Sequence, residues 1–415
     1  MKILCTADLH LGNFSKKIPE KYNIEDFTAE KAWYDIIDIA SQNNYDAILI
    51  CGDILDEDTS TFTSRQILNN GFEKLKDKNI EVVMIPGNHD KSRLSDLLSN
   101  TPYSFVHLIG CGCKWQRFDL NGLSIYGFGL DDDLKTNPFK RKLKNEDNKE
   151  IKLKIEDDKY IIMIHGDYNA NEKDNKYGPF KDSLNGDVIN NSIITLIGHT
   201  HKKEEKDKYV SLGSPQAFDF GEKGEHGFWT LELDEKLDKV NFCFESFSKV
   251  YYELVDADVS DFSDEHSLSS ILNENLECKH SLNLYKVNLI GNLSKEKHDK
   301  IREEMEENQS AVNAYVAEDV YVSEFIDNIE GVYNLGEMAK QPNAIGVVAE
   351  MILSIDDGTF IEKYGDSFVK YKEQSEEYTE PARNGYYDYL DDEELLKFIR
   401  KSLIDILPGE SDKNE

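Results

Sequence analysis

The chain has 415 residues, more than one hydrophobic core usually serves, so two or three domains are expected. Its hydrophobic fraction of 39% is enough for globular domains, but 81 acidic against 48 basic side chains leave a formal charge of −33. That charge argues against a freestanding binder of polyanions, because the self-field repels phosphates beyond a screening length of about 8 Å, and such a substrate would need bound cations or a basic partner.

The first predicted strand, Ile3-Leu4-Cys5, runs into Asp8-Leu9-His10. Residues 29–42 place Trp33, Ile36, Ile37 and Ala40 at helical spacing, and the apolar run Ala47 to Cys51 then leads into Gly52-Asp53. A second helical pattern over 64–76 carries Ile67, Leu68, Phe72 and Leu75, and the run Val82 to Ile85 after it leads to Gly87-Asn88-His89-Asp90. Strand–helix–strand order with short loops implies right-handed parallel crossovers. The stretch Trp115 to Phe128, broken by Asn121-Gly122, reads as a hairpin with a type I′ turn. A lysine-rich segment from Lys135 to Lys159 reads as a surface insertion. Two further runs, Ile161 to Ile164 and Ile194 to Ile197, end in His165-Gly166 and Gly198-His199-Thr200-His201. Residues 208–247 read as more strands.

From about Tyr251 the pattern changes to strand, helix (Leu268 to Asn275), strand (Asn283 to Leu289), helix (Lys295 to Glu307) and a strand near Ala314, which suits a small α+β domain ending near residue 325. A helical run around Ala344 to Leu353 follows, then an acidic, tyrosine-rich linker from Gln374 to Asp391. The last predicted helix carries Leu395, Leu396, Ile399, Leu403, Ile406 and Leu407 and stops at Pro408-Gly409. That apolar stripe suits either a groove on a partner or a place on its own domain.

Near-continuous Ile, Val and Leu runs suit strands buried on both faces, and ligands in α/β sheets gather outside the carboxyl ends of strands. Five such ends carry metal-binding side chains, so one shared site is expected. Asp8, His10, Asp53, Asn88, His165, His199 and His201 offer oxygen and nitrogen ligands for two metals about 3.5–4 Å apart with one bridging carboxylate. Imidazoles mixed with carboxylates and an amide oxygen suit Mn²⁺, Fe²⁺ or Zn²⁺ better than Mg²⁺, and the lack of thiolates argues against a structural zinc. The six cysteines form no small disulfide framework, and Cys111-Gly112-Cys113 has no second pair to complete a zinc site. The chain opens directly on a strand and has no apolar stretch long enough to span a bilayer, so a cytoplasmic protein without membrane association is expected.

The order Asp-x-His, Gly-Asp, Gly-Asn-His-Asp, His, Gly-His-x-His resembles that of the calcineurin-like metallophosphoesterases over roughly residues 1–235. The stretches Ile3 to Gly12 and Cys51 to Asp56, and Gly213-Ser214-Pro215 followed by Asp219-Phe220-Gly221-Glu222, resemble the SbcD-type nuclease branch. The resemblance implies an α/β fold: a metallophosphoesterase β-sandwich flanked by helices over 1–247, a smaller α+β cap that shapes DNA access over 248–325, and a helical, acidic C-terminal region over 326–415. It implies that Asp8, His10, Asp53 and His201 hold one metal and Asp53, Asn88, His165 and His199 the other, with Mn²⁺ the expected ion. His89 would act on the scissile phosphate or leaving oxygen, with Asp90 supporting its loop. Archaeal relatives often carry a second active-site histidine where this chain has Asp56, as the bacterial branch does. The implied activity is two-metal hydrolysis of DNA phosphodiesters with an SbcC-like coiled-coil ATPase, in a homodimer. Lys202 and Lys203, directly after His201, are the expected DNA contacts. Hydrolysis of small phosphodiesters or phosphomonoesters on the same fold is the alternative; the phosphoprotein phosphatases are disfavoured because no arginine follows Gly52-Asp53 until Arg65.

Overall fold

The computed structural model describes residues 1–57, 59–99, 101–130, 137–139, 143–144, 150–151, 155–171, 177–237, 240–308, 314–331, 335–364, 396, 399–400 and 402–404. The chain divides into two compact units, one comprising Met1–Leu254, Cys278–Tyr285 and Glu318–Tyr321, the other Val255–Glu277, Lys286–Ala317 and Val322–Glu415.

The first unit begins β1 (Lys2–Thr6), α1 (Ala29–Gln42), β2 (Ala47–Cys51), α2 (Thr61–Leu75), β3 (Glu81–Ile85), α3 (Lys91–Leu98) and β4 (Val106–Leu108). It continues with β5 (Gln116–Leu120), β6 (Leu123–Phe128), the short pair β7 (Leu143–Lys144) and β8 (Glu150–Ile151), then β9 (Tyr160–His165) and α4 (Asp187–Asn190). Five strands complete it: β10 (Ile194–Gly198), β11 (Glu204–Glu205), β12 (Tyr209–Ser211), β13 (Gly227–Leu233) and β14 (Val240–Ser246). Thr28 caps α1 by accepting the Lys31 N–H, and Ser60 caps α2 by accepting the Thr63 N–H, each satisfying a backbone donor that the first helical turn leaves open. Asn121 and Gly122, at φ 51° and 89°, form the left-handed turn expected between β5 and β6.

The strands fall into two six-stranded sheets, ordered β14-β13-β1-β2-β3-β4 and β11-β12-β10-β9-β6-β5. Strands β1 to β4 are mutually parallel, as the crossovers require, and β9 is parallel to both β6 and β10. Side chains alternate across each sheet. Ile3, Cys5, Leu49, Val83 and Ile85 meet Ile125, Ile161, Met163 and Leu196 of the opposite sheet in an apolar layer. Their neighbours Leu4, Ile48, Ile50, Val82 and Met84 face α1 and α2, whose Trp33, Ile36, Ile37, Leu68 and Phe72 cover them. On the far face of the second sheet, Phe128, Ile162, Ile164 and Ile197 pack with Tyr168, Phe180 and Ile189. The unbroken apolar runs therefore have cover on both faces, from helices on one and from the other sheet on the other. The result is an α/β sandwich flanked by helices.

The later elements are β15 (Val250–Asp258), α5 (Leu268–Asn275), β16 (Leu282–Leu293), α6 (Lys295–Asn308), β17 (Ala314–Ala317), β18 (Val320–Gly331), α7 (Leu335–Met338) and α8 (Ala344–Asp356). Their four strands form a sheet in the order β15-β16-β18-β17. The acidic strand β18 carries Glu324, Asp327 and Glu330 along its length and is not foreshadowed by an apolar run. In the second unit, Ile404 is buried and Leu403 half-buried against Met338, Ala349 and Ile352, while Arg400 pairs with Asp356 and Glu330. Part of the terminal apolar stripe thus packs on its own domain. The linker from Gln374, most of the terminal helix, and Lys135, Lys140, Arg141 and Lys142 of the lysine-rich segment lie outside the described residues. Among the described residues no helix is long and apolar enough to cross a membrane.

Candidate metal centre

Strands β1, β2 and β3 of one sheet and β9 and β10 of the other all end at the same edge of the sandwich. Beyond β1 and β2 the two chains stay paired: Asp8 N–H donates to Gly52 O (3.0 Å), His10 N–H to Asp53 O (3.0 Å) and Leu11 N–H to Ile54 O (2.8 Å). Asp8, His10, Asp53 and His199 each adopt positive φ, at 53°, 47°, 48° and 103°. Non-glycine residues seldom sit there, and such strain persists only where surrounding structure enforces it. Here it turns four side chains out of the alternating strand pattern and toward one centre. Two glycines permit the close approach. Gly52 has φ +85° and a Cβ there would stand 2.3 Å from His165 Nδ1, and one on Gly198 would stand 1.9 Å from the Cys51 carbonyl oxygen.

The expected ligands gather into two adjoining groups. Asp8, His10 and His201 offer ligand atoms within 4.8 Å of one another, as do Asp53, His165 and His199. Asn88 completes the second group, its Oδ1 lying 3.1 Å from His165 Nε2 and 2.9 Å from His199 Nδ1. Asp53 stands between the groups, with Oδ2 3.2 Å from His165 Nε2 and 4.0 Å from His10 Nε2. The donor set fits a pair of divalent cations. The Nε2 atoms of His10 and His201 face each other at 3.0 Å, a contact between lone pairs unless a proton or a cation lies at it. Outward nitrogens are held by the protein: His165 Nδ1–H donates to the Cys51 carbonyl (2.8 Å), and His201 Nδ1–H donates to the Glu222 carboxylate. Both donations leave Nε2 as the free ligand atom.

Burial and charge oppose each other at these groups. Burial raises the Asp8 carboxyl to about 6 and lowers His10 to about 4 and His199 to about 3. Burial acts to raise Asp53 too, but the neighbouring His165 and His10 outweigh it and hold it below the usual carboxylate range. Burial acts to lower His165 and His201, yet Asp53 and Asp8 carry the first up to about 9, and Glu222 and Asp8 carry the second to about 9.

His89 lies beside this cluster, its ring 4.9 Å from that of His10 in an edge-on contact, with its side chain 37% exposed. Its backbone N–H donates to Asp53 Oδ1 (2.8 Å), which couples its loop to the shared carboxylate. Asp90 is fully buried and accepts from Leu55 N–H (2.7 Å) and Gly87 N–H (2.8 Å), tying the two loops together; burial raises its carboxyl to about 7. Asp56 places Oδ2 3.8 Å from His10 Nδ1. Lys202 is exposed, while the Lys203 ammonium sits 3.5 Å above the Phe244 ring and burial lowers its pKa. Lys203 is thus engaged by an aromatic face rather than presented at the cluster. Glu222 was not singled out as a site residue by pattern, although it closes the Asp219-Phe220-Gly221-Glu222 stretch. A glutamate in a loop after no strand carries no ligand spacing, and only the fold brings it to His201.

Residues 1–203 match the calcineurin-like phosphoesterase family. An uncharacterized metallophosphoesterase, YhaO, of Bacillus subtilis is 25% identical over 54% of this chain and 54% of its own length. The DNA double-strand break repair protein Mre11 of Sulfolobus acidocaldarius is 25% identical over 49% of this chain and 50% of its own. Its namesake from Saccharolobus solfataricus is 30% identical over 31% of this chain and 32% of its own. This chain thus spans at most 54% of the length of these curated relatives. Asp8, His10, Asp53, Asn88, His165, His199 and His201 all lie at the sandwich edge described above and all fall within the residues 1–203 that are similar to the calcineurin-like phosphoesterase family.

Proposed function

We propose that this protein is a metal-dependent DNA nuclease of the SbcD type. The observation that carries the hydrolytic part is the convergence of seven donors into two adjoining groups, with a half-exposed imidazole beside them. Two divalent ions, when bound, neutralise phosphate oxygens and lower the pKa of a water, which makes it a nucleophile near neutral pH. Asp8, His10, Asp53 and His201 would hold one ion and Asp53, Asn88, His165 and His199 the other, with Mn²⁺ favoured by the mixed imidazole and carboxylate set. His89 delivers a ring N–H proton to the departing sugar oxygen, and Asp90 keeps its loop in register with Asp53.

DNA as substrate is supported by the likeness to two proteins named for double-strand break repair. In this reading residues 248–325 form a cap that shapes DNA access, the exposed Lys202 contributes near the strand, and residues 326–415 carry docking surface for an SbcC-like coiled-coil ATPase. Such a partner would supply the DNA capture that a chain of charge −33 opposes. A cytoplasmic homodimer is the expected state.

The test is Mn²⁺ with end-labelled duplex DNA, run beside p-nitrophenyl phosphate mono- and diesters. DNA degradation that His89→Ala slows by about 10²–10⁴-fold, with metal content kept, supports the nuclease and the proton-donor role. Small-ester turnover with intact DNA points instead to a small-molecule phosphodiesterase or phosphatase.

A further inference from the structure

The two metal groups are unequal in their surroundings. Behind the first, Glu222 accepts the Nδ1–H of His201, and Asp56 stands 3.8 Å from Nδ1 of His10. Behind the second, the Nδ1–H of His165 donates to the neutral Cys51 carbonyl at 2.8 Å, with Asp8 Oδ1 3.8 Å away. The inner donors are unequal as well: Asp8 and Asp53 flank the first group, whereas Asp53 and the uncharged Asn88 amide serve the second. Glu222 is built into its place. Its other oxygen accepts the Phe218 N–H at 2.9 Å, its carbonyl accepts from His226 Nε2 at 3.0 Å, and its own N–H donates to Asp219 O at 3.0 Å.

We propose that Glu222 is a positioning residue that makes the Asp8–His10–His201 position the tighter of the two, so that divalent ions load there first and at the Asp53–Asn88–His165–His199 position second. A carboxylate accepting Nδ1–H fixes the imidazole tautomer with Nε2 toward the metal and raises its basicity, and loss of such a partner typically costs 10–100-fold in metal affinity. A backbone carbonyl fixes the tautomer equally well but brings no charge. Asp8 and Asp53 stand near both positions, and Glu222 and Asp56 add their charge behind the first, which therefore holds more negative charge against a dication than the second. The weaker ion then exchanges with the medium while the tighter one stays. This rests on the two-metal reading of the centre but not on DNA as the substrate.

The experiment is Mn²⁺ binding to the full chain, followed by titration calorimetry and by electron paramagnetic resonance of the free ion. The unaltered protein is expected to show two constants, with His10→Ala removing the tighter and His199→Ala the weaker. Glu222→Ala is expected to weaken the tighter constant by about 10–100-fold and leave the weaker one in place. Glu222→Gln keeps an acceptor oxygen for His201 and is expected to lose less. Should Glu222→Ala not fold, as judged by its thermal melt, Glu222→Gln carries the same reading. Two equal constants in the unaltered protein, an unchanged tighter constant in both Glu222 variants, or equal losses at both positions would overturn the proposal. A protein that loads ions in this order but leaves DNA uncut keeps it and rejects only the nuclease reading.

Discussion

His165 and His201 are the two candidate ligands at which a proton would compete most strongly with a metal. Their pKa values near 9 come from buried carboxylates around them, against the pull of burial toward the neutral form. A ligating imidazole must be neutral, so each ion displaces one proton on binding. Below pH 9 the proton competes, and the sign follows: apparent affinity rises with pH, by up to about tenfold per unit at each position. We expect Mn²⁺ affinity to climb between pH 6 and 8, with calorimetry in buffers of different ionisation enthalpy registering proton release. A flat profile would show that both imidazoles are already neutral. His10 and His199, held near 4 and 3 by burial, add nothing to this dependence.

The elements matter because the ligands come from both sheets and must meet across the sandwich. The end of β10 lies so near the end of β2 that hydrogen alone fits at Gly198. Gly198→Ala would push a methyl into the Cys51 carbonyl, which also receives the His165 Nδ1–H. Overpacking of this kind costs about 1–3 kcal/mol, and here it would also displace His165 and His199 relative to Asp53. Urea denaturation should record the loss, and metal analysis should find the second ion depleted. Native stability and full metal content in this variant would mean that the sheets part without consequence. The same elements explain what pattern could and could not supply. Helix α1 was legible over its full length because Trp33, Ile36, Ile37 and Ala40 keep a period of 3.6. The division of the apolar runs between two stacked sheets was not, since a strand covered by a helix and one covered by another sheet have the same composition.

For the whole molecule the governing quantity is the charge of −33. Most DNA-binding proteins lose affinity steeply as salt rises, because cationic side chains release counterions from the phosphates. Here the long-range field is repulsive and salt screens it, with the screening length falling from about 10 Å at 0.1 M to about 3 Å at 1 M. The chain acting alone should therefore show a KM for DNA that stays level or falls between 50 and 200 mM salt. A steep rise in KM over that range would reveal a basic surface that outweighs the net charge. Restoring an ordinary salt dependence on addition of a basic partner would fit DNA capture in trans.

The side chains that the structure gathers into two groups were legible from a single chain because strand ends, Gly-Asp turns and paired histidines are local features, each readable within a few residues. So was their common destination, since parallel strands in register present their carboxyl ends on one side. Glu222 behind His201, Phe244 beneath Lys203, the left-handed backbone at Asp8, His10, Asp53 and His199, and the resting place of Leu403 and Ile404 on α8 were settled only by folding. Each depends on distances between residues remote in sequence, and no local period or propensity encodes which of many polar or apolar neighbours a packed chain will bring within reach.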